Sequence, residues 1–193
     1  MWYRLVAKDM SLCLALGPRL GTAEIPLFPA SELSGDCETE LLERKHYVLI
    51  GQMIHRVGPR DGVTETIHSI DCALQEAAQS MTPEWWLLPR TSYRERSSGI
   101  DNTSKLEDAM RLAVQITHYY LLVLLHLPSA IQMREDVDGY SKVTCIDSSR
   151  ELPSQYIRLR CMKHPPFCCR AIDLCAFTPG LALLLAHSTR LDH

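Results

Sequence analysis

Apolar residues recur every three or four positions along most of this chain, which is the period of an amphipathic helix. The clearest stretch covers residues 65–81, where they fall on one helical face. These residues are Ile67, Ile70, Leu74, Ala77, Ala78 and Met81. Leucine occurs 28 times, whereas β-branched valine and isoleucine are sparse, and leucine loses little rotamer freedom in a helix. The pattern predicts an all-α protein, an irregular bundle of about six or seven helices.

Glycine and proline residues divide this pattern into separate helices. The predicted helices cover residues 2–16, 38–57, 65–81, 104–127, 141–161 and 167–188. The order Thr82-Pro83 predicts a cap and a short turn that carries Trp85 and Trp86. The prolines that end, kink or break the last three helices are Pro128, Pro153 and Pro179, the last followed by Gly180.

The chain is long enough for one sizeable core, so residues 1–193 are interpreted as a single domain. A polar segment of mixed charge predicts a flexible loop near residues 90–104. Ser104 and Glu107 then form a capping-box pattern that predicts the start of the longest helix.

Charge and hydropathy exclude two classes of partner. The formal net charge is −3 and no cluster of Lys and Arg is present, so we expect no direct nucleic-acid binding by this chain. The longest apolar run, residues 119–125, is far shorter than the roughly 20 residues that span a bilayer, so we expect no membrane partner. Without an export signal, the eight cysteines are interpreted as reduced thiols.

Cysteine and serine patterns give no metal or catalytic site. No C-x2-C pair occurs, so the cysteines and histidine clustered near the carboxyl end are interpreted as buried groups rather than zinc ligands. This cluster consists of Cys161, His164, Cys168, Cys169 and Cys175. Ser148 and Ser149, followed by Arg150 and Glu151, are interpreted as a solvated helix turn with an Arg–Glu pair.

No hydrolase elbow, phosphate loop or metalloprotease motif is present, so we expect no enzyme and no catalytic residue. A small helical enzyme with a Cys–His pair is a weaker alternative, because no nucleophile has a base placed beside it.

Two groups of residues are candidates for binding. Gln115, His118 and His126 are polar residues on the long apolar helix and form a candidate pocket for a small effector, although buried histidines often have only a structural role. Trp85 and Trp86 are candidate partner contacts, since aromatic residues dominate interface energetics. The alternative is that the two tryptophans close the end of the preceding helix within the core.

Several short blocks occur in a fixed order along the chain. They are EWWLLP at 84–89, QITHYYLLVLLHLP at 115–128, CIDSSREL at 145–152 and CRAIDLCAF at 169–177. Ahead of them stand SLCLALGPR at 11–19 and an Ile70-Asp71 pair with Leu74. In this order the blocks resemble the middle homology region of fungal zinc-cluster transcription factors, and the resemblance covers nearly the whole chain.

The resemblance implies a regulatory domain that controls RNA polymerase II transcription in the nucleus through helix–helix contacts and possible effector sensing. In that family a six-cysteine module ahead of this region binds two zinc ions and reads DNA. No such module is present here, so the resemblance implies no cofactor in this chain and zinc only in the missing module. If the chain lacks an import signal, its location would instead be the cytoplasm.

By the same resemblance, Met1 falls within the helical domain. We therefore expect an incomplete copy of a larger bundle, with an exposed apolar patch and a tendency to self-associate. Expected partners are proteins, either a second copy or full-length relatives. An alternative function is a stand-alone helical interaction protein that sequesters full-length relatives by sharing their dimer surface.

Overall fold

The computed structural model describes residues 37–55, 63–87, 102–131, 139–162 and 170–188. Within these ranges the chain forms helices and no strand, so the all-α prediction is confirmed. The helices are α1 (Glu38–His55), α2 (Val63–Gln79), α3 (Pro83–Trp86), α4 (Asn102–Ile131), α5 (Tyr140–Arg160) and α6 (Arg170–Ser188). The helix predicted at residues 2–16 lies outside the described residues, as does most of the predicted loop near 90–104.

Helix α4 is the centre of the bundle because it contributes to every buried apolar cluster found. On one side, Leu121 and Leu125 pack with residues of α1 and α2, while Val114 packs near Trp85 of α3. On the other side, Leu112, Ile116 and Tyr120 pack against α5 and α6. The bundle thus has two parts around α4, with α1–α3 on one side and α5–α6 on the other.

Two predictions about proline were wrong. Helix α4 continues past Pro128 to Ile131, and α6 continues through Pro179 and Gly180. Pro153 lies inside α5, which runs to Arg160 close to the predicted end, and the kink expected there stays a prediction. Tertiary packing accounts for α6: its Ile172, Cys175 and Ala176 pack with α4 and α5, and Ala182 packs with Val123 and Cys145. Contacts on both sides of Pro179 therefore hold the helix together despite the lost hydrogen bond.

The predicted caps were partly wrong. Helix α4 begins at Asn102, so Ser104 lies inside the helix rather than at its cap, and the end of the predicted loop is helical. Thr82 does precede Pro83 in extended conformation, but its side chain makes no capping hydrogen bond. Helix α5 begins after Gly139, whose φ of 65° is a left-handed conformation that glycine adopts without strain.

Helix α4 satisfies the length and composition test for a membrane span over Lys105–Ile131, which the short apolar run at 119–125 did not predict. Half of its most apolar window is buried inside the protein. Its polar side chains Gln115 and His126 are also buried and bonded to groups on other helices. These contacts identify α4 as the core helix of the bundle.

Candidate functional site

Helix α4 buries a row of polar side chains along one face. The row consists of Arg111, Gln115, His118 and His126. Successive members are four, three and eight positions apart, so they lie on one side of the helix. The side chains of the three predicted pocket residues are almost fully buried: Gln115 is 0%, His118 5% and His126 1% exposed. We call this row and its partners on the other helices the polar seam.

At one end of the polar seam, His126 links three helices. Its Nε2 atom lies 3.1 Å from Oδ1 of Asp71 on α2, and its Nδ1 atom lies 3.3 Å from Oγ of Ser141 on α5. The other carboxylate oxygen of Asp71 accepts hydrogen bonds from Tyr140 Oη at 2.8 Å and from Gln75 Nε2 at 3.0 Å. Buried polar groups that are bonded in this way hold their helices in one register.

The surroundings of Asp71 change the pKa of its carboxylate. Burial alone would raise the pKa of Asp71, but hydrogen bonds from His126 and Tyr140 outweigh burial and lower the pKa below its usual value. Burial and the hydrogen bond to Asp71 raise the pKa of Tyr140. The carboxylate is therefore ionised and the phenol neutral at physiological pH.

The connections from Ser141 to His126 to Asp71 are those of a hydrolase triad, in which a carboxylate orients a histidine that acts as base for a serine. The expectation that no nucleophile has a base beside it was therefore wrong. Cys72 also has a base beside it, since its Sγ atom lies 3.7 Å from His68 Nε2 on the same helix. However, Ser141 is only 8% exposed and lies at the contact of α5 with α4. We interpret the group as a structural link between three helices.

At the middle of the polar seam, two histidines are buried against a tryptophan. His46 Nε2 on α1 lies 3.1 Å from His118 Nδ1, and the His118 ring lies 5.1 Å from the Trp86 ring. Burial, helped by the nearby His118 and Lys45, holds the pKa of His46 well below its usual range. Burial also lowers the pKa of His118 to about 4. Both imidazoles are therefore neutral at physiological pH.

Two buried polar atoms near this pair have no hydrogen-bond partner in the part of the chain that the structure describes. They are Nδ1 of His46 and Oε1 of Gln115. His118 bonds to His46 and lies one helical turn after Gln115. Each such unpaired atom costs about 1–3 kcal/mol in a buried site, so this part of the seam has unused hydrogen-bonding capacity.

The two tryptophans of α3 are anchored in the bundle. The Trp85 side chain is buried and its Nε1 donates to Thr39 Oγ1, while its carbonyl oxygen accepts from Gln115 Nε2 at 2.8 Å and Arg111 Nη2 at 2.7 Å. Trp86 is half-buried and its Nε1 donates to Ala78 O. In this structure both close the end of α2 against α4, and the exposed apolar residue beside them is Leu87.

The serine pair on α5 was misinterpreted. Ser148 and Ser149 are buried rather than solvated, because they lie on the inner face of α5 beside Cys145 and Leu152. Arg150 forms an ion pair with Asp147 at 3.6 Å, not with Glu151.

Among the described residues, no group of three or more His, Cys, Asp or Glu side chains is arranged to hold a metal ion. Cys161 is exposed and Cys175 half-buried, so the interpretation of the cysteines as buried thiols does not hold for Cys161. The other three residues of the cluster, His164, Cys168 and Cys169, lie outside the described ranges. The interpretation of the whole cluster therefore stays a prediction.

Several members of the polar seam were not predicted from the sequence, among them Arg111, His46, Asp71, Tyr140 and Ser141. One sequence signal was available for Asp71, because it directly follows Ile70 of the apolar face of α2. In the structure the two residues are buried to nearly the same extent. A carboxylate beside an apolar stripe requires a partner, and a buried histidine was a natural candidate. Ser141 and Tyr140 gave no such signal, because helix termini commonly carry polar residues.

Comparison with known proteins relates nearly the whole chain to fungal regulators. The chain is 36% identical over 191 residues to a "Dehydrocurvularin biosynthesis regulator" of Alternaria cinerariae, which covers 97% of this chain and 24% of that protein. It is 34% identical over 194 residues to a protein of the same name from Aspergillus terreus, covering 97% of this chain and 26% of that protein. It is 32% identical over 196 residues to "Transcription factor sdnS" of Sordaria araneosa, covering all of this chain and 25% of that protein.

No family model and no solved structure matches the chain. The chain spans about a quarter of the length of the curated relatives it matches. These relatives are named as regulators and transcription factors rather than as enzymes. The chain is therefore homologous to one segment of fungal transcription regulators.

Proposed function

We propose that this chain is a regulatory segment of a fungal zinc-cluster transcription factor that controls a set of biosynthetic genes in the nucleus. The observation that carries the proposal is the similarity over nearly the whole chain to fungal proteins named as regulators of biosynthesis. The order of short blocks that resembles the middle homology region supports the same function. Sequence-specific DNA binding, and any zinc, would belong to a different part of the full-length protein.

The segment would act through its helix–helix contacts. Helix α4 packs on α5–α6 mainly through apolar side chains and the contact of His126 with Ser141. Its contact with α1–α3 combines apolar packing with the other hydrogen bonds of the polar seam. Hydrogen bonds are directional, so a contact of this kind has a small number of discrete arrangements. Movement of α1–α3 relative to α4 is therefore the change that we propose transmits regulation.

The part of the seam around His46, Gln115 and His118 is the proposed effector site. It supplies the two unpaired buried atoms, Nδ1 of His46 and Oε1 of Gln115. Since both imidazoles are neutral there, the effector would be an uncharged molecule with hydrogen-bonding groups. His126, the third predicted pocket residue, would act instead through its link to Asp71 and Ser141.

A reporter fusion tests the proposed function. The whole chain is fused to an unrelated DNA-binding domain, and transcription from a matching promoter is compared with that from the DNA-binding domain alone. We expect the fusion to raise or lower transcription about fivefold or more. A matched control carries Leu121→Asp, which places a charge at a fully buried position and unfolds the bundle. Equal transcription from the fusion, the unfolded control and the bare domain would contradict the proposal.

A further inference from the structure

The proposed effector site contains buried polar atoms on two helices. In the described ranges, three such atoms of this region have no hydrogen-bond partner: Arg111 Nε and Gln115 Oε1 on α4, and His46 Nδ1 on α1. We call them the open atoms. The side chains of Gln115 and His46 are 0% exposed, so bulk solvent does not reach them. Leaving a buried polar atom in this state is costly, and a ligand that bonds to it removes that cost.

The two open atoms of α4 differ in what they can bind. The amide Nε2 of Gln115 donates to Trp85 O at 2.8 Å, so the amide cannot turn over without losing that bond, and its Oε1 can only accept. The Arg111 guanidinium donates to the same carbonyl oxygen through Nη2 at 2.7 Å, and its Nε–H can only donate. An acceptor and a donor therefore lie beside one carbonyl group. A hydroxyl group suits both, because it donates and accepts at once.

The open atom of His46 can bond to a hydroxyl group in either tautomer. His46 Nε2 and His118 Nδ1 lie 3.1 Å apart and share one hydrogen, because both imidazoles are neutral. If His46 donates, its Nδ1 is an acceptor, and if His118 donates, His46 Nδ1 carries a hydrogen. The charge of Arg111 already faces Asp108 at 3.8 Å. A charged ligand would have to enter a site that keeps two imidazoles neutral, which is costly, so an uncharged group fits better.

Aromatic rings surround the residues that carry the open atoms. The Trp86 ring lies 4.9 Å from the Trp85 ring and 5.1 Å from the His118 ring. The Tyr119 ring lies 6.1 Å from the Trp86 ring and meets it edge to face, an arrangement that aromatic pairs prefer. The Arg111 guanidinium lies over the Trp85 ring, 5.7 Å from its centre. Surroundings of this kind favour a ligand with an aromatic ring.

Trp86 provides a way into the site, because it is held less firmly than Trp85. Trp85 is 7% exposed and its Nε1 donates to Thr39 Oγ1 at 3.1 Å. Trp86 is half-buried, and its Nε1 donates to Ala78 O at a longer distance of 3.3 Å. Helix α3, which carries both tryptophans, has only 4 residues, so a local movement of Trp86 disturbs little other structure. Rotation of the Trp86 ring away from His118 would leave room for a ring of similar size.

We propose that the effector is an uncharged aromatic compound with a hydroxyl group, which bonds to the open atoms while the ring packs beside Trp86. This inference rests on the proposed effector site and names the chemical class that the site binds. The bound compound would contact α1, α3 and α4 together and so hold α1–α3 in one position on α4. Phenol is the simplest probe of this class. We expect a Kd on the order of 1 mM, because so small a molecule has few atoms that contribute to binding.

Three related probes test the inference on the full, unchanged chain, by ligand-observed NMR titration. They are phenol, anisole and benzoate. Anisole keeps the ring but has no hydroxyl hydrogen to donate, and benzoate carries a charge. We expect phenol to bind about fivefold more tightly than either, the difference that one hydrogen bond makes. No binding of phenol, or binding of anisole or benzoate that equals or exceeds it, would overturn the inference.

Two variants locate the bound phenol. Gln115→Leu removes an open atom and should weaken phenol about fivefold while leaving anisole unchanged. Its neighbour Ile116 packs with Leu152 on the apolar side of α4, so Ile116→Val should change neither. Equal effects of the two variants on phenol would contradict the assigned site, and circular dichroism verifies that both are folded.

The reporter fusion separates this inference from the proposed function. An active fusion together with equal binding of phenol and anisole contradicts the chemical class of the effector alone. Selective binding of phenol by a chain whose fusion is inactive contradicts only the proposed function. The comparison of the three probes needs no variant, so it stands even if Gln115→Leu does not fold.

Discussion

His126 and Asp71 face each other inside the bundle, with Nε2 of the histidine 3.1 Å from Oδ1 of the carboxylate. The two residues are 55 positions apart in the chain and join α4 to α2. Both are buried, so their contact is sheltered from solvent screening. The same carboxylate also binds Tyr140 at the start of α5. One side chain thereby fixes the positions of three helices.

Replacement of the central carboxylate should destabilise the fold. We expect Asp71→Ala to lower the free energy of unfolding by about 3 kcal/mol, since His126 and Tyr140 both lose a partner that bears a charge. The control is Gln75→Ala, which removes an exposed donor to the same carboxylate and should cost about 1 kcal/mol or less. Urea denaturation measures both. Equal losses for the two variants would show that the buried contacts of Asp71 contribute no more to the free energy of unfolding than the exposed hydrogen bond from Gln75.

The two neutral histidines should make stability depend on pH. The folded-state pKa of His118 is about 4 and that of His46 is also lowered, whereas both start from 6.5 in the unfolded chain. The unfolded state therefore binds protons below pH 6.5 that the folded state excludes, so stability falls as the pH drops. From pH 7 to 5 the loss should be about 2 kcal/mol for His118 alone.

The pH dependence that the two histidines cause can be separated from the titration of other groups. The pKa of Asp71 is lowered from 3.8, so its contribution is constant above about pH 5 and is lost only in stronger acid. His118→Phe should reduce the slope between pH 7 and 5, measured by urea denaturation at each pH. Gln115→Leu, a change of a buried residue that does not titrate, should leave the slope as it is. A slope that His118→Phe does not alter would contradict the buried neutral pair.

Gly139 and Gly180 should respond in opposite ways to alanine. A Cβ atom added at either position would meet nothing within 4 Å, but only Gly139 has a positive φ, of 65°. Gly139→Ala should therefore destabilise the chain by about 1 kcal/mol, because alanine is strained in the left-handed region. Gly180→Ala should stabilise the chain by up to about 1 kcal/mol, since alanine favours a helix. Thermal unfolding compares the two variants with the unchanged chain.

Trp85 should contribute strongly to stability and its neighbour Leu87 should not. Trp85→Ala removes a buried side chain together with its hydrogen bond to Thr39, and should cost about 3–5 kcal/mol. Leu87→Ala changes a residue that is 73% exposed and should alter stability by about 0.5 kcal/mol or less. Guanidinium denaturation provides the comparison, and a large loss for Leu87→Ala would mean that it has a partner in solution.

The helices could be predicted where local signals and packing agree. The apolar face of α2 and the proline at the start of α3 both follow from the sequence, because short-range rules determine them. The continuity of α6 through Pro179 could not be predicted, since contacts of Ile172 and Ala182 with other helices decide it. The start of α4 at Asn102 was missed because Ser104 and Glu107 formed a plausible cap in the wrong place.

The candidate site could be predicted only in part. Gln115, His118 and His126 were identified because polar residues stand out on an apolar helix. Their partners were not, because the pairing of His118 with His46 and of His126 with Asp71 joins residues far apart in the chain. Periodicity predicts which face of a helix is buried, but the neighbour that each buried polar group meets depends on the packing of whole helices.

The most direct test of the account is transcription from the reporter fusion carrying Gln115→Leu, compared with the same fusion carrying Ile116→Val. Both residues are fully buried neighbours on α4, but Gln115 belongs to the polar seam and Ile116 packs with Leu152 on the apolar side. Each change is conservative, and Trp85 O keeps its bond to Arg111 when Gln115 is replaced. We predict that Gln115→Leu changes transcription about fivefold, while Ile116→Val stays within about twofold of the unchanged fusion. Equal outputs from the two variants, at equal protein levels, would contradict regulation through the polar seam.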